Sequence, residues 1–455
     1  MKIHFISIGG SVMHQLAIAL KKKGYSITGS DDEIFEPAKS NLLQEGILPL
    51  KIGWFPEQIT NDLEAVILGM HAKADNPEIC KAKELGLPIY SFPEYIYKES
   101  LNKKRIVVGG SHGKTTTTAM IMHAFKITGL PFDYLVGARL EGFDQSVNIT
   151  DAPVIVCEGD EYPASAVEKR PKFHFLFPHI AILTGIAWDH INVFPTFESY
   201  LDQFKIFISK IETGGQLIYN QDDEVLNNLI KETIRTDIRY LPYGVPPHSI
   251  KNGETSVIVE GAEGNLKVFG NHNLLNLHAA WMVCKQFQIS SHQFVDAITS
   301  FTGASKRLEL LSKNEHTIIY RDFAHAPSKV KATIDAVKKQ LPHRKLIALL
   351  ELHTYSSLNE QFMQEYKGVL DSADEAAVFY SRHALELKRV PGLIKEMVQK
   401  GFQKENLLII TEKEELENWL QTLKVENATL LLMSSGNYDG IDIETFAKQI
   451  IKLSI

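Results

Sequence analysis

The sequence predicts an α/β protein in three domains, and three observations carry that prediction. Short apolar runs of strand length alternate with amphipathic stretches of helix length along nearly the whole chain. Its 455 residues exceed what one hydrophobic core organises; at roughly 150 residues per unit they make about three domains. Hydrophobic residues form 44% and charged residues 23% of the chain, the balance of a soluble globular protein rather than a disordered or fibrous one.

The elements follow in order. IHFISI reads as a buried strand, Gly9-Gly10 as a turn, Val12 to Lys22 as a helix and YSITGSDD as the returning strand. Apolar runs at Ala65 to Leu68 and Pro88 to Tyr90 extend this small doubly wound sheet, which finishes near residue 98. A second domain, 99–302, opens at Ile106, passes through VIVCEGD and IAILTGI, and closes with the helix after Asn273. SFTGASKR, rich in Ser, Thr and Gly, links to a third α/β series over 303–455: TIIYRDF, KLIALLEL, EAAVFY, NLLIIT and ATLLLMSS. Repeats, charge blocks and low-complexity segments are absent from the sequence.

Composition excludes some functions. A formal net charge of -7 argues against a general grip on nucleic acid or an anionic membrane, while leaving room for a local basic groove. Cys80, Cys157 and Cys284 are scattered without CxxC spacing, so neither a disulfide framework nor a zinc site is expected, and a reducing compartment fits. MKIHFISIGG lacks a cleavage-type pattern and the sequence lacks a bilayer-length apolar segment; a cytoplasmic protein is the expectation. Oligomeric state stays open.

Chemistry concentrates in four stretches. After the apolar run at 105–108 comes GGSHGKTTTT, whose Gly110, Ser111, His112 and Gly113 let backbone N–H groups converge on phosphate oxygens. Lys114 would neutralise β/γ charge, Thr115 could coordinate magnesium, and the helix starting there, with Thr116 in its first turn, adds its positive end. The common GxxxxGK(S/T) pattern fails, because Val108 stands where its first glycine belongs. VIVCEGDEYP delivers Glu158, Asp160 and Glu161 to a strand end, hard oxygen ligands suited to magnesium beside substrate phosphates. IAILTGIAWDHINVF brings Asp189 and His190 to a second strand end. FGNHNLLNLHAAW places His272, Asn273 and Asn276 around a helix start, where an ordinary asparagine N-cap is the alternative reading.

These stretches resemble the Mur ligases, ATP-dependent amide-forming enzymes of peptidoglycan synthesis. Their phosphate loop, GTHGKTTT after a hydrophobic strand, differs here only by Ser111. The resemblance implies Rossmann-like first and third domains around a central P-loop-type ATPase domain with a mostly parallel sheet. It implies ATP and Mg2+ as cofactors, with Lys114, Glu158 and His190 as catalytic residues and Thr115, Glu158 and His190 as metal ligands. Gly185 replaces the asparagine of the family's N-I-x-x-D-H segment. The signature G-x-H-N-x-x-N-x-x-A-A assigns His272, Asn273 and Asn276 to adenine. SKRLELL and YRDFAHAPSKV resemble the hinge segment and the D-D-Y-x-H-H-P motif, which gives Arg307 to the γ-phosphate side, Asp322 to the ribose and His325 to the neighbourhood of the peptide, with Ala326 replacing the second histidine. In the first domain the looser match to G-I-G-G-I-G-M, with Ser7 and Val12 in place of glycines, nominates Gly9, Gly10, Ser11 and Asp31 for UDP. HAKADNPE nominates His71, and His112 is counted with the sugar nucleotide as well as with ATP.

Two branches of the family share UDP-N-acetylmuramate as acceptor. One adds L-alanine; the recycling branch adds the tripeptide L-alanyl-γ-D-glutamyl-meso-diaminopimelate. GSDDEIFEPAKSNLLQEGI, EGDEYPASAVEKRPKF and LLLMSSGNYDGI resemble recycling-branch segments, with Pro163 replacing an aspartate in the second. LELHTYSS lies between the two patterns: His353 and Tyr355, candidates for the amine substrate, match the alanine branch, but Thr354 and Ser357 replace both its arginines. A single amino acid with a free carboxylate wants such a cation. The expected amine is therefore the tripeptide, with L-alanine as the alternative.

Overall fold

The computed structural model describes the chain apart from residues 71, 189–192, 305, 306, 383, 384, 386–392, 454 and 455, and only the backbone of 361, 452 and 453. His71 and His190, nominated above, lie outside the described residues. Two compact units make up the chain. One comprises Met1–Ile186, Glu198–Gly244 and Ala279–Ile289; the other comprises Ala187–Phe197, Val245–His278 and Ser290–Ile455.

The first unit holds two parallel-rich sheets. Strands β1 (Lys2–Ile6), β2 (Ser26–Ser30), β3 (Ala65–Leu68) and β4 (Ile89–Ser91) lie in the order β2-β1-β3-β4, all parallel. Helix Ser11–Lys22 follows β1 and buries Met13 to Leu20. Helix Pro77–Glu84 begins where Asn76 accepts from the Glu78 and Ile79 amides and Pro77 takes the first helical position.

The larger sheet contains β5 (Lys104–Gly109), β6 (Asp133–Leu135), β7 (Val147–Asn148), β8 (Val154–Glu158), β9 (Ile180–Leu183), β10 (Gln216–Asn220) and β11 (Arg239–Tyr243). Their order is β11-β10-β9-β5-β8-β6-β7, and β7 runs antiparallel to β6. Strand β5 sits between β8 and β9, so the carboxyl ends of these three strands open side by side. In such sheets ligands bind outside the carboxyl ends. Val108 is a wholly buried strand residue, and the missing P-loop glycine is explained: β5 runs through that position to Gly109.

The second unit contains a sheet that the sequence reading passed over. Strands β12 (His248–Lys251), β13 (Glu254–Val259) and β14 (Ala262–Leu266) form an antiparallel meander. Its turns at Asn252-Gly253 and Glu260-Gly261 have positive φ at both residues, as tight hairpins require. The main sheet orders β15 (Glu309–Lys313), β16 (Thr317–Asp322), β17 (Lys345–Glu351), β18 (Glu375–Phe379), β19 (Leu408–Ile410) and β20 (Ala428–Met433) as β15-β16-β20-β17-β18-β19. Only β15 pairs antiparallel among these described strands. Each face carries its own apolar core, Leu346, Ala348 and Leu350 on one side, Ile347 and Leu349 on the other. Alternate residues of a strand leave opposite faces, and burial on both makes the strand a continuous apolar run.

Candidate active site

The phosphate-loop sequence forms a tight turn from β5 into helix Lys114–Thr128. Gly110 has φ +123° and Gly113 φ +77°, conformations that favour glycine. A Cβ on Gly110 would collide with Thr184, whose hydroxyl donates to the Gly109 carbonyl at 3.2 Å and to that of His112. The Ser111 amide donates to the Gly185 carbonyl at 2.9 Å, and its hydroxyl bonds that of Tyr200 at 2.8 Å. Ser111 thus anchors the loop to β9 and helix Phe197–Ser209. Thr116, like Ser111, is buried.

Lys114 starts the helix, and its ammonium donates to the Gly110 carbonyl at 2.7 Å and lies 2.8 Å from a wholly buried Glu161 carboxylate oxygen. Burial alone would pull the ammonium down, but Glu161, Asp160 and Glu158 outweigh it and hold the pKa above the ordinary value. Lys114 is therefore a fixed cation at physiological pH.

The three carboxylates at the end of β8 take three different partners. Glu158 accepts the Thr115 hydroxyl at 2.6 Å and the Gly137 amide at 2.8 Å. Asp160 pairs with Lys172 at 2.5 Å, and Glu161 accepts from Lys114 and, at 3.2 Å, from the Tyr200 hydroxyl. The hydroxyl and carboxylate of Thr115 and Glu158 are the hard oxygen pair that suits magnesium. No cluster of three His, Cys, Asp or Glu side chains fit to hold a metal occurs among the described residues. Magnesium, which keeps several waters and uses substrate phosphates, does not require one.

Gly185 has φ +142°, and a Cβ there would lie 2.7 Å from the Asp223 carboxylate. Asp223 accepts the Ile186 amide at 2.8 Å with one oxygen and caps helix Glu224–Glu232 through Leu226 with the other. The space of the family asparagine is filled by a carboxylate from the neighbouring strand end.

In the first sheet, the Gly9 amide donates to buried Asp31 at 2.7 Å. Burial pushes the Asp31 carboxyl up to about 6. Gly10 precedes helix Ser11–Lys22, whose first residue is Ser11, and its carbonyl accepts from the His14 ring at 2.8 Å.

Helix Asn271–Cys284 begins before His272, so His272, Asn273 and Asn276 all lie within it, on the part that belongs to the second unit. Asn273 does not act as the N-cap of the alternative reading: its side-chain amide donates to the Phe269 carbonyl at 2.8 Å. Burial, aided by Arg307, pulls the His272 imidazole down to about 4. Arg307 lies over the Phe323 ring, 4.7 Å from its centroid. Asp322, also buried, accepts the Leu308 amide at 2.5 Å and the Ala324 amide at 2.6 Å. Its burial raises the pKa despite Arg307 and these donors. His325 bonds the Phe323 carbonyl at 2.9 Å, and Ala326 occupies the N-cap of helix Pro327–Gln340.

Strands β16, β20 and β17 are neighbours, so the loops after Asp322, Met433 and Glu351 open at one edge. Buried Glu351 accepts the Tyr438 amide at 3.0 Å and the Ser434 hydroxyl, while His353 lies 3.8 Å from it. A Cβ on Gly436 would come within 2.8 Å of both Glu351 and His353, so this loop needs its glycine. Tyr355 is exposed, and Thr354 donates to the Ser357 hydroxyl at 3.0 Å. Sequence reasoning missed Thr184, Tyr200, Asp223 and Glu351 as supports. Only Glu351 carried a signal, an acid closing an apolar strand.

Known proteins resemble this chain along nearly its whole length. Residues 2–102 match the Mur ligase family catalytic domain, 108–284 the Mur ligase middle domain and 306–436 the Mur ligase glutamate ligase domain. A UDP-N-acetylmuramate–L-alanine ligase of Carboxydothermus hydrogenoformans is 30% identical, over 98% of this chain and 96% of its own. Among solved structures, the UDP-N-acetylmuramate–alanine ligase of Thermotoga maritima superposes with TM-score 0.67 at 22% identity, covering 100% of this chain and 99% of that one. A murein peptide ligase of Psychrobacter arcticus gives TM-score 0.63 at 21% identity over 99% and 98%.

Proposed function

Because the chain belongs to the Mur ligase family of ATP-dependent amide ligases of peptidoglycan synthesis, we propose that it joins the lactyl carboxylate of UDP-N-acetylmuramate to the α-amine of an L-alanyl unit. Residues 1–98 take the sugar nucleotide, 99–302 the ATP and 303–455 the amine substrate. The observation that carries the reading is Lys114, a partly buried cation at a glycine turn beside the Thr115 and Glu158 oxygen pair.

A carboxylate oxygen attacks the γ-phosphorus, ADP leaves, and an acyl phosphate results. The amine nitrogen then attacks the acyl carbon, orthophosphate leaves, and the amine gives up its proton. Two anions meet in the first step, so fixed positive charge is what the protein must supply. Lys114 supplies it, while Thr115 and Glu158 would hold magnesium, whose charge screens the phosphate oxygens when bound. His190 is proposed as a further ligand on the family resemblance alone.

For the amine, the names of the curated relatives support free L-alanine more directly than the tripeptide expected from sequence. The tripeptide remains a second reading, favoured by one observation: Glu351 clamps the Ser434–Tyr438 loop, whereas Thr354 and Ser357 offer no cation to a lone amino-acid carboxylate.

Phosphate release with UDP-N-acetylmuramate and ATP, comparing L-alanine, the tripeptide and neither, tests both readings. Amine-dependent release is expected, with at least about a hundredfold loss in Lys114→Met. That variant strands the buried Glu161 carboxylate; Lys114→Met with Glu161→Gln separates lost chemistry from lost fold. Release that ignores the sugar nucleotide, or full turnover by a folded double variant, overturns the assignment.

A further inference from the structure

The glycine turn of the first sheet is held by side chains that the chemistry above does not use. The Gly10 carbonyl accepts twice from His14, from its backbone amide at 3.0 Å and from its ring Nδ1 at 2.8 Å. A carbonyl oxygen only accepts, so Nδ1 carries the proton, and Nε2 of the neutral ring is an acceptor. The other side of the ring agrees: Nε2 faces two amide nitrogens, that of Gln15 at 2.8 Å and that of Asn41, in helix Ala38–Gln44, at 3.3 Å. Gln15 is oriented in turn, because its Oε1 accepts the Ser146 amide at 3.3 Å and so leaves its NH2 for the ring. Burial lowers the His14 pKa, in keeping with the neutral ring that these donors require.

His14 and Gln15 are both buried, between the core residues Met13 and Leu16. Apolar side chains would fill that space without the cost of desolvating polar groups. What the polar pair adds is direction. The peptide unit is planar and trans, so the Ser11 N–H points opposite to the Gly10 carbonyl with which it shares that unit. Two bonds from His14 draw the carbonyl one way and send the Ser11 N–H the other. The Gly9 and Gly10 amides donate within the turn, to Asp31 at 2.7 Å and to the Ser7 carbonyl at 3.3 Å, which leaves anion binding to the first amides of helix Ser11–Lys22. Ser146 lies just before β7, and the same β6–β7 loop gives its Gly137 amide to Glu158 at 2.8 Å. Gln15 thus keys the turn to a loop that also reaches the phosphate-loop carboxylate.

We infer that His14 is a positioning residue for the diphosphate of the sugar nucleotide, aiming the Ser11 amide through the Gly10 carbonyl, and that Gln15 acts through His14 by locking its ring to the β6–β7 loop. The inference rests on the reading that residues 1–98 take the sugar nucleotide.

Titration calorimetry with UDP-N-acetylmuramate, and steady-state constants for it and for ATP, test this in the full-length enzyme and in His14→Leu, His14→Asn and Gln15→Leu, with melting curves to check the fold. Leucine removes the donor, whereas asparagine keeps an N–H at the position of Nδ1. The expected result is a sugar-nucleotide Kd and KM raised about tenfold in His14→Leu, largely restored in His14→Asn, with the KM for ATP held. Gln15→Leu should weaken sugar-nucleotide binding about threefold, and adding it to His14→Leu should cost nothing further, because its effect passes through the ring. Unchanged sugar-nucleotide affinity in folded His14→Leu, or in folded Gln15→Leu where His14→Leu does not fold, overturns the inference; so do equal losses for sugar nucleotide and ATP, which mark a packing role. A parent enzyme that does not bind UDP-N-acetylmuramate overturns the reading of residues 1–98, and the inference with it.

Discussion

Gly185 shows what one residue can decide. Its φ of +142° and the 2.7 Å approach of Asp223 leave no room for a side chain, yet its carbonyl receives the Ser111 amide of the phosphate loop. Gly185→Ala is expected to cost about 1–3 kcal/mol through backbone strain and collision, and to weaken ADP binding by displacing that carbonyl. Asp223→Ala removes the colliding oxygen together with a helix cap, so the double variant should lose less than the two single losses combined. Calorimetric melting and ADP titration of the cycle check this; strictly additive losses would refute the coupling. The substitution at 185 was plain in the sequence, but its compensation 38 positions later could not be read, because no local pattern links a strand-end glycine to a cap on the second helix beyond it.

At the scale of an element, helix Phe197–Ser209 is held by contacts that titrate. His174 stacks on Phe173 with centroids 4.8 Å apart and bonds the Gln203 carbonyl of that helix at 2.8 Å. Burial lowers its pKa from 6.5 to about 4. The unfolded chain binds the proton more readily, so this contribution to stability is present above pH 6.5 and lost as pH falls through about 4. His272 has the same sign, whereas Asp31, raised from 3.8 to about 6, favours the fold at low pH and loses that contribution as pH rises through 6. The difference between parent and His174→Gln isolates one group: the fall in melting temperature from pH 6.5 to 4 should be shallower in the variant. Parallel curves would show that the imidazole does not titrate with folding. The strand elements were largely legible, because parallel strands covered on both faces read as unbroken apolar runs, as in KLIALLEL. The β12-β13-β14 meander escaped because polar residues interrupt its apolar ones, although Asn252-Gly253 carried a hairpin signal.

For the whole molecule, the question is whether metal serves the reaction or the fold. Among the described residues no three-ligand cluster ties segments together, and Thr115 and Glu158 already satisfy each other. Chelating divalent cations is expected to stop ADP formation and leave the melting curve in place; a midpoint lowered by chelation would reveal a structural metal. No described helix is long and apolar enough to cross a membrane. The sequence by itself determined the α/β architecture, the family and the glycine turn ahead of helix Lys114–Thr128, because buried parallel strands and a tight backbone turn depend on residues adjacent in the chain. Only the tertiary structure decided which carboxylate serves which partner, Glu161 for Lys114, Glu158 for Thr115 and Asp160 for Lys172, and which distant side chains hold the loops. An ion pair is set by distance in space across neighbouring strands, and Coulomb attraction and burial act on that distance rather than on separation along the chain.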